Sequence, residues 1–215
     1  DGGKDTSAVQ TFTITVMPVN DPPSFVKGAD QTVLEDAGPQ TVEGWATDLN
    51  VGQESETGQK ISFVVTSDDK TLFAKLPAVN AAGTLTYTPA MNATGEATVT
   101  VRAKDSGGKS GGGRDLSDPQ TFTITVQGVN DAPSFAEGPN VSANEDSGAK
   151  SIANWAKAIK AGPPDESGQS LTITVSNDNE ALFSSQPALS AAGALTFTPA
   201  ANANGKAVAT VVMQE

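Results

Sequence analysis

Two all-β sandwiches of antiparallel strands in tandem are predicted by this sequence. Three observations predict them: a literal internal repeat, apolar residues spaced two apart, and turn-forming clusters between the alternating runs. Gln10-Thr11-Phe12-Thr13-Ile14-Thr15-Val16 recurs letter for letter as Gln120-Thr121-Phe122-Thr123-Ile124-Thr125-Val126, an offset of 110 residues. The same offset carries Val19-Asn20-Asp21 to Val129-Asn130-Asp131, Glu35-Asp36 to Glu145-Asp146, Trp45 to Trp155, Leu72-Phe73 to Leu182-Phe183, and Thr88-Pro89-Ala90 to Thr198-Pro199-Ala200, with no insertion or deletion. Solenoid units run about 20 to 50 residues, so a period this long fits a whole sandwich domain of about 100. In that register residues 1–21 are the final strand of a preceding repeat plus a linker, 22–131 a first repeat, and 132–215 a second repeat lacking its last strand.

In chain order, strands are predicted near residues 30–35, 40–43, 60–67, 83–88, 96–103 and 120–127. Period two means a half-buried strand, and it is plain in Phe12, Ile14 and Val16 against Thr11, Thr13 and Thr15, in Leu85 and Tyr87, and in Val99 and Val101. Clusters of Gly, Pro, Asn and Asp punctuate these runs, at Asn80 to Gly83, Pro89 to Gly95 and Asp105 to Pro119. That strand number suits an immunoglobulin-like sandwich. Ile152, Trp155, Ala156 and Ile159 depart from the pattern, following i, i+3, i+4, i+7 up to Gly162-Pro163. They predict a short amphipathic helix, with a weaker counterpart around Trp45, so that each repeat carries one. Both Trp residues are read as core anchors, because a buried Trp recurs in such sandwiches.

Composition narrows the function. With 13 Lys plus Arg against 25 Asp plus Glu, the net charge of −12 repels phosphate backbones and anionic headgroups, which argues against nucleic-acid and membrane-surface partners. The chain has no Cys and no His, which removes thiol nucleophiles, His-based triads, disulfides and Cys/His metal sites. No run approaches the roughly 20 apolar residues that span a bilayer. Asp1 opens a polar, Gly-rich segment without the order of a signal peptide, as expected of an internal piece of something longer. The carboxylate pairs Asp68-Asp69 and Asp165-Glu166 have the chemistry of a glycosidase acid and base but no pocket around them in the sequence, and read as solvated loop charges. Gly107 to Gly113 lacks the G-K-[S/T] of a phosphate loop and reads as a flexible hairpin loop. No catalysis is expected.

Ala103-Lys104-Asp105-Ser106-Gly107, then Leu116-Ser117, the strand 120–126 and Val129-Asn130-Asp131-Ala132-Pro133-Ser134-Phe135 together resemble the end of a cadherin repeat, which runs A-x-D-x-G, L-S, a final strand and a D-x-N-D-N linker. The whole chain is more closely similar to the tandem cadherin-like repeats of large bacterial cell-surface and secreted proteins. Val129 to Phe135, Asn144 to Gly148, Asp165 to Gln169, Leu195 to Gly205 and Pro119 to Val126 stand where those repeats carry VNDAPSF, NEDAG, DESGQ, LTFTPAANANG and PQTFTITV.

The resemblance implies extracellular, cadherin-like sandwiches strung in series as a stalk or adhesive segment, often with calcium at the junctions. The residues permit that metal independently, since Asp, Glu and Asn without His or Cys offer only hard oxygen ligands. Position by position, the resemblance implies Asn20, Asp21, Asp48 and Asp105 at the first junction, and Glu35, Asn130, Asp131 and Glu215 at the second. The first junction is expected to bind more tightly, because Ala158 and Lys160 replace Asp48 and Asn50 in the second repeat. Pro18 or Gly128 replaces the first linker Asp, the linker is one residue short, and Pro89-Ala90-Met91-Asn92 replaces the acidic L-D-R-E motif, so fewer ions than in a classical cadherin junction are expected. The simpler reading of Asn20-Asp21 and Asn130-Asp131 is a pair of Asx turns before Pro.

Two further expectations concern partners. One is a carbohydrate-binding module for surface polysaccharide as the alternative function, although Tyr87 is the only Tyr and both Trp residues are assigned to cores. The other is association with the same or similar repeats: residues 10–16 are an orphan strand and the second sandwich has an empty edge, so head-to-tail strand addition between molecules would satisfy both.

Overall fold

A computed structural model describes residues 2–3 and 5–215. The first repeat holds nine strands: β1 (Ser24–Val26), β2 (Gln31–Leu34), β3 (Gln40–Val42), β4 (Thr47–Asn50), β5 (Ser62–Ser67), β6 (Phe73–Val79), β7 (Leu85–Pro89), β8 (Gly95–Lys104) and β9 (Gln120–Gln127). The second holds β10 (Ser134–Ala136), β11 (Lys150–Ile152), β12 (Lys157–Lys160), β13 (Thr172–Asn177), β14 (Phe183–Leu189), β15 (Leu195–Pro199) and β16 (Ala209–Gln214). None of the described helices is long and apolar enough to cross a membrane.

The first repeat builds a four-stranded sheet in the order β2-β9-β8-β5, a three-stranded sheet β3-β7-β6 and a two-stranded ribbon β1-β4. Alternation decides which side chains enter the core. Along β8, Ala97, Val99, Val101 and Ala103 are buried, while the intervening Glu96, Thr98 and Lys104 are exposed. β9 lies antiparallel to β8 with Val99 opposite Phe122 and Ala97 opposite Ile124, and parallel to β2 with Gln31 opposite Ile124. This places Phe122, Ile124 and Val126 in the core with Leu85, Tyr87 and Trp45.

The second repeat follows the same plan with two strands fewer, the counterparts of β2 and β9. β16 pairs only with β13, and residues 141–144, the counterparts of β2, form no ladder because the strand that β2 pairs with in the first repeat has no twin here. β16 is also shorter than β8, six residues against ten, since residues 205–208 have no neighbour to hold them extended. The core suffers accordingly: Ala156, Leu189 and Leu195 are buried, whereas Trp155, Phe197, Val175 and Met213 stay half-buried.

The helix predicted over Ile152 to Ile159 is not formed. Ile152 ends β11, Trp155 lies in a turn and Ile159 sits in β12, and the counterpart around Trp45 runs β3, turn, β4. Asn154 (φ 54°) and Ala158 (φ 51°) take left-handed conformations that a right-handed helix excludes, as do Gly44 (φ 62°) and Asp48 (φ 50°) in the first repeat. A strand, a tight turn and a second strand bring residues at this spacing to one face as well as a helix does. The only helical pieces among the described residues are single 3-10 turns, such as Glu54–Glu56 and Pro164–Glu166. Residues 10–16, predicted as a strand, enter no sheet of this chain.

Tyr87 is 2% exposed and packs edge-on to Phe73, with ring centroids 6.2 Å apart. Burial raises its phenol above the ordinary value of 10.0. A raised folded-state pKa contributes stability that is full below the unfolded value and is lost as pH rises through the folded one. The first repeat is therefore expected to weaken above about pH 10. Tyr87→Phe, which installs the residue found at position 197, is expected to weaken less; thermal melts of both proteins across that range compare them, and parallel curves would exclude Tyr87 as the cause.

Candidate functional site

The two points where a repeat begins carry the densest polar bonding between distant parts of the chain. At the first, Asn20 Nδ2 donates to Asp105 Oδ1 (3.0 Å) and to the Arg114 carbonyl (2.7 Å), while Asn20 Oδ1 accepts from Gln59 Nε2 (2.6 Å). Asp105 follows the end of β8, is 4% exposed, and also accepts the Gly107 N–H at Oδ1 (2.8 Å). The Asp21 N–H donates to Glu56 Oε1 (3.0 Å), and Glu56 Oε2 accepts the Gln53 N–H (2.8 Å). Glycine is required beside Asn20, because a Cβ on Gly107 would stand 1.8 Å from Asn20 Oδ1.

The second junction repeats this set 110 residues on. Asn130 Nδ2 donates to Glu215 Oε1 (2.5 Å), its Oδ1 accepts from Gln169 Nε2 (3.1 Å), and the Asp131 N–H donates to Glu166 Oε1 (3.0 Å). Here the first repeat adds its own contact. Glu35, just past β2 and 2% exposed, accepts the Val129 N–H at Oε1 (2.8 Å) while its main-chain N–H donates to the Gln127 carbonyl (2.8 Å). Three consecutive linker residues are thus each held by a side chain from one repeat or the other. An open cleft of about 480 Å³ lies beside them, lined by Thr94 and Gly128 on one side and Glu166 and Gln169 on the other.

Of the residues singled out in the sequence, Asn20 and Asp105 meet, and so do Asn130 and Glu215. Glu35 reaches the linker one residue before Asn130. Asp21 and Asp131 contribute main-chain N–H groups. The Asn side chains bond across 85 residues rather than to their own turns, so these are clasps and not Asx turns. Asp48 is exposed on β4 and shares no hydrogen bond with Asn20, Asp21 or Asp105. The sequence reading missed Glu56, Gln59, Glu166 and Gln169. Their signal was the pair Ser55-Glu56-Thr57-Gly58-Gln59 and Asp165-Glu166-Ser167-Gly168-Gln169 at the same offset.

Among the described residues no three acidic side chains are grouped to hold a metal. Buried carboxylate oxygens without a hydrogen-bond partner do occur at both junctions: Asp105 Oδ2 at the first, Glu35 Oε2 and Glu166 Oε2 at the second. Such oxygens suit a hard cation. Calcium takes six to eight oxygens, so main-chain carbonyls, amide oxygens and water would have to complete the shell, the arrangement of a weak site.

Residues 20–125 match the family model described as bacterial Ig domain. The matched stretch opens at Asn20 and ends inside β9. Solved structures similar to the chain include human protocadherin-24 EC1-2, at 13% identity with a TM-score of 0.38, covering 85% of this chain and 80% of that one. The D00-D0 domain of intimin matches at 17% identity and a TM-score of 0.32, covering 88% and 91%. The human desmocollin-1 ectodomain matches at 14% identity and a TM-score of 0.37 over 92% of this chain, which spans 36% of that ectodomain. No curated protein matches the chain. The chain is all-β with open sandwiches, and it is similar to immunoglobulin domains over the matched residues.

Proposed function

We propose that this chain is an extracellular structural and adhesive segment, in which sandwich modules are strung in series and calcium binds at the junctions. The observation that carries the reading is the conserved clasp within the chain itself: the same Asn, main-chain N–H, Glu and Gln bonds recur at positions 110 apart. A linker whose Val129, Asn130 and Asp131 are all tied down bends little, which serves a stalk rather than a flexible tether. The matched bacterial Ig family supports a module of a surface or secreted protein.

Calcium would draw on Asp105 Oδ2 at the first junction, and on Glu35 Oε2 and Glu166 Oε2 at the second. Its charge would relieve buried carboxylates that pair with no cation among the described residues. Asp48 stands outside the set, and Gln59 Oε1 is a further buried oxygen without a partner at the first junction.

Calorimetric titration with calcium after chelation tests this. Extracellular modules bind with Kd of about 0.1 to 1 mM, so ~1 mM free calcium is expected to stabilise the fold by up to about 1.4 kcal/mol. Small-angle scattering is expected to show an elongated particle. Equal melting temperatures in calcium and chelator would remove the metal from the reading, and a particle with the two repeats packed side by side would overturn the stalk.

A further inference from the structure

We infer, on the premise that calcium binds at the junctions, that Pro163 is what leaves Glu166 free to hold it, by withholding the main-chain N–H that occupies the equivalent glutamate of the first repeat.

The two glutamates begin alike. Each closes a single 3-10 turn, Glu54–Glu56 in the first repeat and Pro164–Glu166 in the second. Each donates its own N–H to the carbonyl three residues back, Gln53 (2.9 Å) or Pro163 (3.1 Å). Each accepts a linker N–H at Oε1, from Asp21 or from Asp131, at 3.0 Å. They part at the second oxygen. Glu56 Oε2 accepts the Gln53 N–H at 2.8 Å, so the side chain reaches back and closes its own turn. Position 163 is proline, which has no N–H to give. Glu166 Oε2 is accordingly buried with no hydrogen-bond partner among the described residues. The residue is 8% exposed, whereas the satisfied Glu56 is only half-buried.

The main chain permits the exchange. Gln53 has φ −75° and Pro163 φ −60°, both within the range of a proline ring, so the turn is kept and one donor is deleted. A buried carboxylate oxygen left unmet costs stability, and a bound cation would recover it. The surroundings suit a cation. Glu166 lines the cleft of about 480 Å³ together with Asp165, Asn130 and Gln169, and neither Lys nor Arg is among the described residues that line it. Asp165 stands where the first repeat has Ser55, so the turn that loses a donor also gains a carboxylate. Carboxylate and amide oxygens are the ligands that calcium takes.

Wild type, Pro163→Ala, Glu166→Gln and the double variant test this, by urea unfolding in chelator and by NMR titration with calcium. In chelator Pro163→Ala is expected to raise the urea midpoint of the second repeat, because a hydrogen bond to a buried carboxylate outweighs the greater freedom of the unfolded chain. In the Glu166→Gln background the same change is expected to lower the midpoint, since the amide nitrogen cannot accept the new N–H. The Asp131 amide signal reports calcium at the second junction, with Asp21 as the reference at the first. Pro163→Ala is expected to raise the calcium concentration that shifts Asp131 by about tenfold or more and to leave the Asp21 response unchanged. An Asp131 signal that calcium shifts in neither protein would overturn calcium binding at this junction and the role of Pro163 with it. Equal shifts in wild type and Pro163→Ala would keep the calcium and overturn the role of Pro163. So would a change in midpoint that is the same in both Glu166 backgrounds.

Discussion

Trp45→Ala is expected to destabilise the first repeat by about 3 to 5 kcal/mol, and Trp155→Ala to cost the second repeat no more than half of that. The two indoles occupy equivalent places. Each donates its Nε1–H to a main-chain carbonyl sixteen residues back, Trp45 to Ala29 (3.0 Å) and Trp155 to Pro139 (2.9 Å). Each fits against a glycine that no other residue could replace, since a Cβ on Gly28 or Gly138 would stand 2.5 Å from the indole Cδ1. What differs is the far face. Trp45 is covered by Phe122 from β9, so its removal leaves an enclosed void among well-packed side chains. Trp155 has no ring in the place of Phe122 and is half-buried, so water takes the place of the lost ring.

Urea unfolding followed by circular dichroism reads this directly. The wild-type chain is expected to unfold in two steps, the second repeat first, because it has three buried residues in its core cluster where the first has fifteen. Trp45→Ala should move the later step to lower urea and bring the two together. A cost at Trp155 equal to that at Trp45 would mean that the missing strand does not govern the second core.

The same contrast explains what the sequence could and could not convey. Strands predicted at 40–43, 60–67, 96–103 and 120–127 correspond to β3, β5, β8 and β9, because alternation of Val, Ile and Phe with Thr is a local record of one buried face. β1 and β4 escaped notice: three and four residues are too few for a period to register, and Thr47-Asp48-Leu49-Asn50 has the polarity of a loop. β6 was hidden by Pro77, which is tolerated only because β6 lies at the edge of its sheet. At the junctions, Asn130 and Glu215 were legible because the offset put them beside the linker or beneath Asp105. Glu166 was not, since a glutamate in a polar turn looks solvated until the 3-10 turn folds it back over Asp131.

Glu166 is therefore the residue whose replacement should change the junction most. Glu166→Ala leaves the Asp131 N–H without its acceptor, and an unmet donor of this kind costs about 1 to 3 kcal/mol. Glu166→Gln keeps an oxygen for that N–H and removes a carboxylate whose Oε2 is buried without a partner. It is expected to match or exceed the wild-type protein in chelator and to gain least from calcium. Gly162→Ala should reproduce Glu166→Ala by another route. A Cβ there would stand 1.8 Å from Glu166 Oε2, so the carboxylate must swing away from Asp131. Because both changes break one bond, the double variant should cost little more than either single one, whereas independent effects would add. Gly52→Ala in the first repeat should cost more than Gly162→Ala, since Gly52 combines the same contact, 1.9 Å from Glu56 Oε2, with a φ of 141° that side chains disfavour. Urea unfolding of the four second-repeat proteins, wild type included, closes the cycle. Additive costs for Gly162→Ala and Glu166→Ala would show that the glycine acts on something other than the glutamate, and that the clasp on Asp131 does not hold the junction.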